Sequence, residues 1–225
     1  MSVVVSELLV RPAPPPIDIE REAAHERLSQ WRAAFPALDA LILSGAAPAG
    51  AMRRLGLTFW SAGQTAAAVE AFGESVALDG DDAAAWLDLG FARRACGQTA
   101  AALEAFERAA ALSPAVARIW LAIGLAAKEL NSLARAEAAL EKAAALDPSL
   151  DEATYALGLV CFDARRYAEA AHRWRPLLER GYPAPGLRLG LGQCQFFLGE
   201  FGAAAESLAA HLETSPGDVE IVRRL

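Results

Sequence analysis

The sequence is poor in the residues that most often build catalytic and metal sites. It contains three histidines and three cysteines in 225 residues. The histidines His25, His172 and His211 are not spaced as a metal-binding pair, and no two cysteines form a Cys-x-x-Cys motif. We also find no combination of nucleophile, base and orienting group. The sequence therefore predicts no catalytic residue, no metal site and no cofactor.

Signs of secretion are missing as well. Cys96, Cys161 and Cys194 are odd in number and far apart, which disfavours a disulfide framework. The first residues carry no basic side chain before their apolar part, and Glu7 interrupts that part, so they do not resemble a secretory signal. We therefore predict a cytoplasmic location and interpret each cysteine as a small buried hydrophobic residue.

Long apolar runs and an excess of positive charge are also absent. No stretch is free of charged residues over the roughly 20 positions that a membrane-spanning helix needs. There are 21 Lys and Arg against 28 Asp and Glu, a net charge of -7, which argues against a nucleic-acid partner. Aromatic residues make up only 8%, yet 54% of the chain is hydrophobic, which is enough to build a core and disfavours disorder.

What the sequence does contain is a repeat with a period of 34 residues. A large aliphatic residue followed by glycine recurs at Leu55-Gly56, Leu89-Gly90, Ile123-Gly124, Leu157-Gly158 and Leu191-Gly192. Twelve positions after each glycine stands alanine, at Ala68, Ala102, Ala136, Ala170 and Ala204. Four positions further stands a large apolar residue: Phe72, Phe106, Leu140, Trp174 or Leu208. The register continues without a gap from 49 to 218, which indicates a repeat protein.

These columns resemble the tetratricopeptide repeat (TPR). The best match is the second unit, with Trp86, Leu89, Gly90, Gly97, Ala102, Phe106, Ala109 and Pro114 at the expected places. The resemblance implies five units, at 49–82, 83–116, 117–150, 151–184 and 185–218. It also implies an all-α fold, a right-handed superhelical solenoid of antiparallel helix pairs.

Local signals agree with two helices per unit. A turn residue separates the two helices in each unit: Gly63, Gly97, Asn131, Arg165 or Gly199. Glycine and asparagine tolerate a left-handed backbone, whereas arginine does not, so we expect strain at Arg165. The small Gly and Ala columns allow close helix approach, and we expect the large residue to fill the next gap. Ser113-Pro114, Asp147-Pro148 and Ser215-Pro216 are expected to end second helices, and Asp81 and Asp82 to cap helix starts.

The segments outside the five units also have predicted roles. Residues 1–16 form an N-terminal tail with a proline-rich spacer, and 17–48 form a capping helix pair with helices over 17–34 and 36–43. Residues 219–225 begin a C-terminal capping helix. That piece either caps the array, meets another protomer or marks a truncation. Pro176 predicts a kink near 174–177 and a changed angle between units four and five.

The resemblance further implies that the first helices line a concave groove. The columns that would face it contain mostly large apolar residues, with cations at the edges of the first three units. They are Arg53, Leu57, Trp60, Leu87, Phe91, Arg94, Arg118, Leu121, Leu125, Lys128, Tyr155, Leu159, Phe162, Leu189, Gln193, Phe196 and Phe197. Leu57, Leu125 and Leu159 could instead be interhelical core.

One TPR subgroup grips a peptide's C-terminal carboxylate with basic and amide side chains. Arg53 and Arg118 stand in matching columns, but Leu57, Asp88 and Ala122 occupy the columns of the remaining partners. The carboxylate clamp is therefore incomplete.

An apolar groove favours a binding function. We expect a non-enzymatic adaptor or scaffold that binds an apolar peptide or helix, and that could self-associate through its tail or its open ends. The apolar residues within 1–12 could lie in the groove or on a neighbouring copy, or the tail could be disordered. Two alternatives remain open. One is a chaperone of the bacterial secretion type, and the other is an accessory TPR region of a glycosyl- or sulfotransferase.

Overall fold

The computed structural model describes residues 19–43, 45–184 and 186–218. This part of the chain forms twelve α-helices and one short 3₁₀ turn, without a β-strand. The predicted tail (1–16), the first two residues of the predicted helix over 17–34, and the predicted capping segment 219–225 lie outside the described residues. None of the described helices is long and apolar enough to cross a membrane.

The helices follow one another with short connections. Two precede the repeats, α1 (Ile19–Ala34) and α2 (Pro36–Leu43). The five units then contribute α3 (Pro48–Ser61), α4 (Thr65–Leu78), α5 (Ala83–Ala95), α6 (Thr99–Leu112), α7 (Ala117–Glu129), α8 (Leu133–Leu146), α9 (Asp151–Asp163), α10 (Tyr167–Glu179), α11 (Leu187–Phe197) and α12 (Phe201–Thr214). The 3₁₀ turn spans Pro216–Asp218.

The helices pack as a continuous stack of pairs, which confirms the predicted solenoid. We call α3, α5, α7, α9 and α11 the first helices, and α4, α6, α8, α10 and α12 the second helices. Each first helix packs on the second helix of its own unit and on the second helix before it. The first helix α9 also contacts both α7 and α11, whereas no successive second helices in the described part pack as closely.

The glycine column marks where the two helices of one unit touch. A Cβ atom on Gly56 would lie 2.6 Å from the ring of Phe72, and one on Gly192 would lie 2.7 Å from Leu208. The glycines of the other three units are covered in the same way by Phe106, Leu140 and Trp174. The large residue lies over the glycine of its own unit and also packs against the next first helix, as expected: Phe106 shares a cluster with Ile123, and Leu140 shares one with Leu157.

The turns between paired helices adopt the left-handed backbone that the sequence predicts. The φ angle is positive at Gly63, Gly97 and Gly199, and at the two residues that are not glycine, Asn131 (57°) and Arg165 (60°). An L-residue in this region costs about 1–2 kcal/mol unless its side chain is small and polar. The expected strain therefore falls on Arg165.

Helix ends follow most of the predicted signals. In three second helices the C-cap residue stands directly before a proline. These C-cap residues are Ser113, Asp147 and Ser215. Asp82 caps α5, because its Oδ1 accepts hydrogen bonds from the N–H groups of the second and third helical residues at 2.8 and 3.2 Å. The capping role predicted for Asp81 was wrong, since the N-cap residue of α5 is Asp82.

The two helices before the repeats cover the end of the array that the first unit forms. Ala24 and Leu28 of α1 and Leu38 of α2 are buried in one cluster with residues of α3 and α4.

In the fourth unit, Pro176 lies inside α10, which continues to Glu179. The changed angle between units four and five remains a prediction.

Candidate functional site

The structure separates the predicted groove residues into exposed and packed groups. Leu57, Trp60 and Phe91 expose 41%, 39% and 38% of their surface, and Phe197 exposes 50%. These four are the large apolar side chains of the predicted groove that solvent reaches most. Three of them belong to the first two units, so the exposed apolar surface is concentrated there.

Most of the predicted groove leucines contribute to the core between units. Leu121 is only 7% exposed, so its prediction as a groove residue was wrong. It belongs to the cluster formed by α8 and α9, which also contains Ala156. Leu87, Leu125 and Leu159 are half-buried and pack against the cores between units two and three, three and four, and four and five. Leu189 is half-buried as well. Of the three leucines left open by the sequence, only Leu57 is exposed.

The cations at the groove edge pair with acids of the following unit. Arg53 Nε lies 2.7 Å from Asp88 Oδ2, Arg94 Nη2 lies 2.7 Å from Glu129 Oε1, and Lys128 Nζ lies 2.9 Å from Asp163 Oδ2. In every pair the acid stands 35 positions after the cation, which is one repeat plus one residue. We call these three pairs the ion-pair ladder. This ladder was not predicted from the sequence, although its 35-residue spacing is visible there.

Burial and ion pairing act in opposite directions on the pKa of the Asp88 carboxyl. Burial raises the pKa of the Asp88 carboxyl above its ordinary value, and the hydrogen bond from Arg53 only partly offsets this effect. Arg53 is thus engaged with Asp88 through its Nε–H group. Arg118, the other cation in a clamp column, is exposed on the surface.

In units four and five the groove columns are occupied by aromatic packing. The rings of Tyr155 and Phe162 each lie 6.1 Å from the ring of Trp174, which is almost fully buried. Phe162 also meets Tyr167 edge to face at 5.5 Å, and Tyr167 stacks on Phe197 at 4.5 Å. Tyr155 and Phe162 are therefore partly core residues, and the surface here is less available than the sequence predicted.

The remaining predicted residues lie beside this aromatic cluster. Phe196 is half-buried and makes edge contacts with Phe197 and Phe201 at 5.8 and 5.7 Å. Gln193 is half-buried on the same helix. They extend the cluster toward the last helix and away from the exposed residues of the first units.

The exposed residues of the first two units form one surface. We call Leu57, Trp60 and Phe91 the inner patch; all three line one depression, whose base is Phe72 and whose edge is Asp88. Trp60 and Phe91 also line an adjoining depression with the Arg94–Glu129 pair. Phe91 is held from behind by Phe106, whose ring it meets edge to face at 5.2 Å. The inner patch is thus apolar and is flanked by two ion pairs, in each of which the acid neutralises the cation.

A second cluster, on the side of the second helices, carries potential metal ligands. One ligand atom each from Glu137, Cys161 and Glu169 lies within 4.8 Å of the others. Arg166 already occupies this place, since its guanidinium pairs with Glu137 at 2.7 Å and with Glu169 at 3.1 Å. Burial also raises the pKa of the Cys161 thiol, which disfavours the thiolate that a metal would need. The cluster is best explained as an arginine site.

Two matching stacks, in which a cation of a second helix lies over a tryptophan of the first helix in the same unit, were not predicted from the sequence. Lys142 lies 3.6 Å from the ring centre of Trp120, and Arg108 lies 5.6 Å from that of Trp86. Each indole N–H donates to a backbone carbonyl six residues earlier, at 2.8 Å. In both stacks the cation follows the tryptophan by 22 residues. These contacts hold each tryptophan against the second helix of its own unit.

Comparison with protein families gives one identification. The pattern described as tetratricopeptide repeat matches residues 23–83, 53–95, 87–151 and 155–219, which together cover most of the sequence. This chain therefore belongs to the tetratricopeptide repeat family, whose members generally serve as scaffolds for protein–protein interaction. No curated protein matches the chain significantly in sequence.

Solved structures share the fold at low sequence identity. YrrB, described as a TPR protein with an unusual peptide-binding site, has a TM-score of 0.72 at 17% identity, covering 84% of this chain and 98% of its own. PilF from Pseudomonas aeruginosa has a TM-score of 0.70 at 19% identity, covering 90% and 95%. MamA from Desulfovibrio magneticus has a TM-score of 0.70 at 18% identity, covering 75% and 96%. Identities this low establish the solenoid fold alone.

Proposed function

We propose that this chain is a non-enzymatic adaptor that binds an uncharged, extended peptide segment on its inner patch. The observation that carries the proposal is the exposure of Leu57, Trp60 and Phe91 around one depression between two closed ion pairs. Large apolar side chains that lie together on a surface of a repeat protein commonly mark a binding site.

Charge determines which kind of peptide fits. The nearest cations, Arg53 and Arg94, each hold an acid of the next unit, so a charged ligand group would have to displace an existing partner. An apolar side chain gains contact with Trp60 and Phe91 without breaking either pair. The preferred ligand is therefore a segment with one or two large apolar anchors and no charge between them.

The size of the inner patch limits the affinity. Aromatic side chains present about 150–250 Å² each, so the exposed parts of the three residues amount to roughly 200 Å². Burying that area contributes about 5 kcal/mol. Association and ordering of the peptide consume much of this gain, so we expect weak binding with Kd near 1 mM or in the high micromolar range.

The test selects peptides on the immobilised full chain by display and then measures their affinities by titration. Trp60→Ala and Phe91→Glu are expected to weaken binding at least tenfold. Val116→Glu is the matched control, because Val116 is equally exposed but lies outside the inner patch, in the connection before α7. Unchanged binding by Trp60→Ala and Phe91→Glu, or an equal loss with Val116→Glu, would contradict the proposed site.

Phe162 is a poor probe of the same site. A glutamate there removes ring contacts with both Tyr167 and Trp174. We therefore expect Phe162→Glu to lower stability together with binding. Phe91→Glu removes only one aromatic contact and is the cleaner test.

The N-terminal tail is a competing occupant of the inner patch. Residues 3–5 and 8–10 are apolar and carry no charge, which fits the ligand chemistry proposed above. If they occupy the inner patch, a chain without residues 1–12 binds the selected peptides more tightly and also binds more of an apolar dye. Equal peptide affinity and equal dye binding would remove the tail as an occupant.

A further inference from the structure

The carboxylates beside the inner patch already accept hydrogen bonds. Asp88 Oδ2 accepts from Arg53 Nε at 2.7 Å. Glu129 accepts from Arg94 Nε at 2.8 Å through Oε1 and from the Thr99 hydroxyl at 3.3 Å through Oε2. A ligand N–H group that bonded to one of these oxygens would therefore have to share it with an existing donor.

The carbonyl groups in the last turns of α3 and α5 are engaged as well. Those of residues 58–60 accept from the N–H groups of 62–64, and those of residues 92–94 accept from the N–H groups of 96–98, at 2.9–3.1 Å. These turns follow directly on the helix segments that carry Trp60 and Phe91. The helix ends next to the inner patch thus use these acceptors internally.

The indole N–H of Trp60, in contrast, is an unused donor. The indole N–H groups of Trp86, Trp120 and Trp174 each donate to a backbone carbonyl, at 2.8, 2.8 and 3.1 Å. No group of the described residues accepts a hydrogen bond from the indole N–H of Trp60, which is an exposed residue. The inner patch therefore combines a free donor with acceptors that are already engaged.

Proline is the residue whose backbone matches this arrangement. It has no N–H group to be left unpaired on burial, and its carbonyl can accept from the free indole N–H. Its ring adds apolar contact with the exposed Trp60 and Phe91. We propose that the inner patch binds a proline-rich segment of another protein, one of whose carbonyls accepts a hydrogen bond from Trp60 Nε1.

The conformation of such a segment suits a small surface. Proline-rich chains adopt the extended polyproline II helix before they bind, without internal hydrogen bonds. Binding then has less chain to order, which lowers an entropic cost that otherwise consumes much of the gain from so small a patch. Aromatic-lined surfaces bind polyproline II segments for this reason. A flexible apolar segment without proline would bear that cost in full.

The test follows the tryptophan indole N–H signals of the ¹⁵N-labelled full chain by NMR. The probe is a neutral, end-blocked peptide with the sequence Pro-Pro-Ala-Pro-Pro-Ala-Pro-Pro. Titration is expected to move the Trp60 indole proton downfield, and loss of the signal in Trp60→Phe identifies it. The indole signals of Trp86 and Trp120 are internal controls, because their N–H groups already donate to carbonyls. A Trp60 signal that does not move would contradict the proposed hydrogen bond.

Two altered peptides separate the missing N–H group from apolar contact. Valine in place of every proline restores the N–H groups and is expected to weaken binding about fivefold or more, because buried N–H groups are left unpaired. N-methylalanine in place of every proline keeps the N–H groups absent and should retain most of the affinity. N-methylalanine binding as weak as that of the valine peptide would contradict the proposal.

A variant of the protein isolates the donor in the same way. Trp60→Phe keeps an aromatic ring at this position but removes the N–H group. It should weaken binding of the proline peptide about threefold to tenfold, the effect of one hydrogen bond, without changing the circular dichroism spectrum. Unchanged affinity in Trp60→Phe would overturn the assignment of this donor.

Because this inference rests on the proposed function, the outcomes must distinguish the two. If the valine and proline peptides bind equally and both are lost in Phe91→Glu, the peptide site remains and the preference for proline is wrong. If Phe91→Glu changes the binding of neither peptide, both proposals fail. Proline-peptide binding that exceeds valine-peptide binding and is lost in Phe91→Glu supports both.

The chain also carries prolines of its own near its start, at Pro12, Pro14, Pro15 and Pro16. The full chain with Pro12→Ala, Pro14→Ala, Pro15→Ala and Pro16→Ala combined tests whether they compete for the inner patch. Unchanged affinity for the proline peptide supports a segment of another protein as the occupant. Tighter binding would assign the inner patch to the chain's own prolines and overturn that choice.

Discussion

A Cβ atom on Gly124 would lie 2.6 Å from Cδ2 of Leu140, well inside the distance at which real side chains meet. The same overlap would occur between glycine and the large residue sixteen positions later in every unit. The glycine column therefore sets the distance between the paired helices.

Replacing Gly124 by leucine should destabilise the array by about 3 kcal/mol through overpacking. The measurement is equilibrium unfolding in urea, with circular dichroism as the readout. Gly73→Ala is the control, since Gly73 lies within α4 and a Cβ there would meet nothing within 4 Å. That change should raise stability by about 0.5–1 kcal/mol through helix propensity. Comparable losses in the two variants would show that helix packing at Gly124 is not the cause.

Replacing Arg165 should raise the stability of the chain. Its positive φ of 60° strains an L-residue, so Arg165→Gly should stabilise the chain by about 1 kcal/mol. Asn131→Gly, at the equivalent turn with φ 57°, should change stability by less, because asparagine tolerates this conformation. Urea unfolding of both variants checks the prediction, and a larger gain at Asn131 than at Arg165 would contradict it.

The Asp88 carboxyl should make stability fall as the pH rises. Its folded-state pKa is raised above 3.8, mainly by burial, so the folded state holds this proton more tightly than the unfolded chain does. Stability from this group is therefore fully present below pH 3.8 and is lost as the pH passes through the raised folded-state pKa. Asp88→Asn removes this dependence, so unfolding curves between pH 3 and pH 7 should favour the variant increasingly as the pH rises.

Asp147 provides the opposite sign and serves as the comparison. Hydrogen bonds from the hydroxyl and the N–H of Ser149 lower the pKa of its carboxyl. Its contribution is present above pH 3.8 and is lost as the pH falls through the lowered folded-state pKa. The stability of Asp147→Asn relative to the parent chain should therefore decline with rising pH in that acidic range. The same trend for Asp88→Asn and Asp147→Asn would show that these pKa shifts do not control the pH dependence.

The three thiols should react at different rates. Cys161 and Cys194 are fully buried, and burial raises the pKa of Cys194 to about 12, whereas Cys96 is half-buried. A thiolate-selective reagent at neutral pH should modify Cys96 first and the other two only on unfolding. Mass spectrometry after timed labelling identifies the modified residues. Early labelling of Cys194 in the folded protein would contradict its burial.

The sequence predicted the structure correctly where every residue of a repeat column has the same structural role. The glycine and alanine columns, the turn residues including Arg165, and the proline-linked helix ends predicted the fold correctly. These features depend on backbone conformation and close approach within one unit, and the 34-residue period reveals them directly.

The groove was predicted less well because its residues interact across units. The cation or leucine at unit position 5 lies near position 6 of the next unit, as Arg53 does with Asp88. Leu121 shares a cluster with Ala156 at the same offset, which explains its burial. Aligning equal positions of successive units conceals contacts that are shifted by one residue. Columns therefore predicted which residues lie on the first helices, but not which of them remain exposed.

The ion-pair ladder affects which whole repeat unit can be deleted from the array without losing an ion pair. If residues 117–150 were removed as a block, Asp163 would take the place of Glu129 opposite Arg94, and Ala156 would take the place of Ala122 beside Leu87. At the new junction an acid would again face Arg94, and an alanine would again lie beside Leu87. Excising 83–116 would instead set Arg53 against Ala122 and leave the arginine without its acid. By these contacts, removal of the third unit preserves an acid opposite Arg94, whereas removal of the second unit leaves Arg53 unpaired.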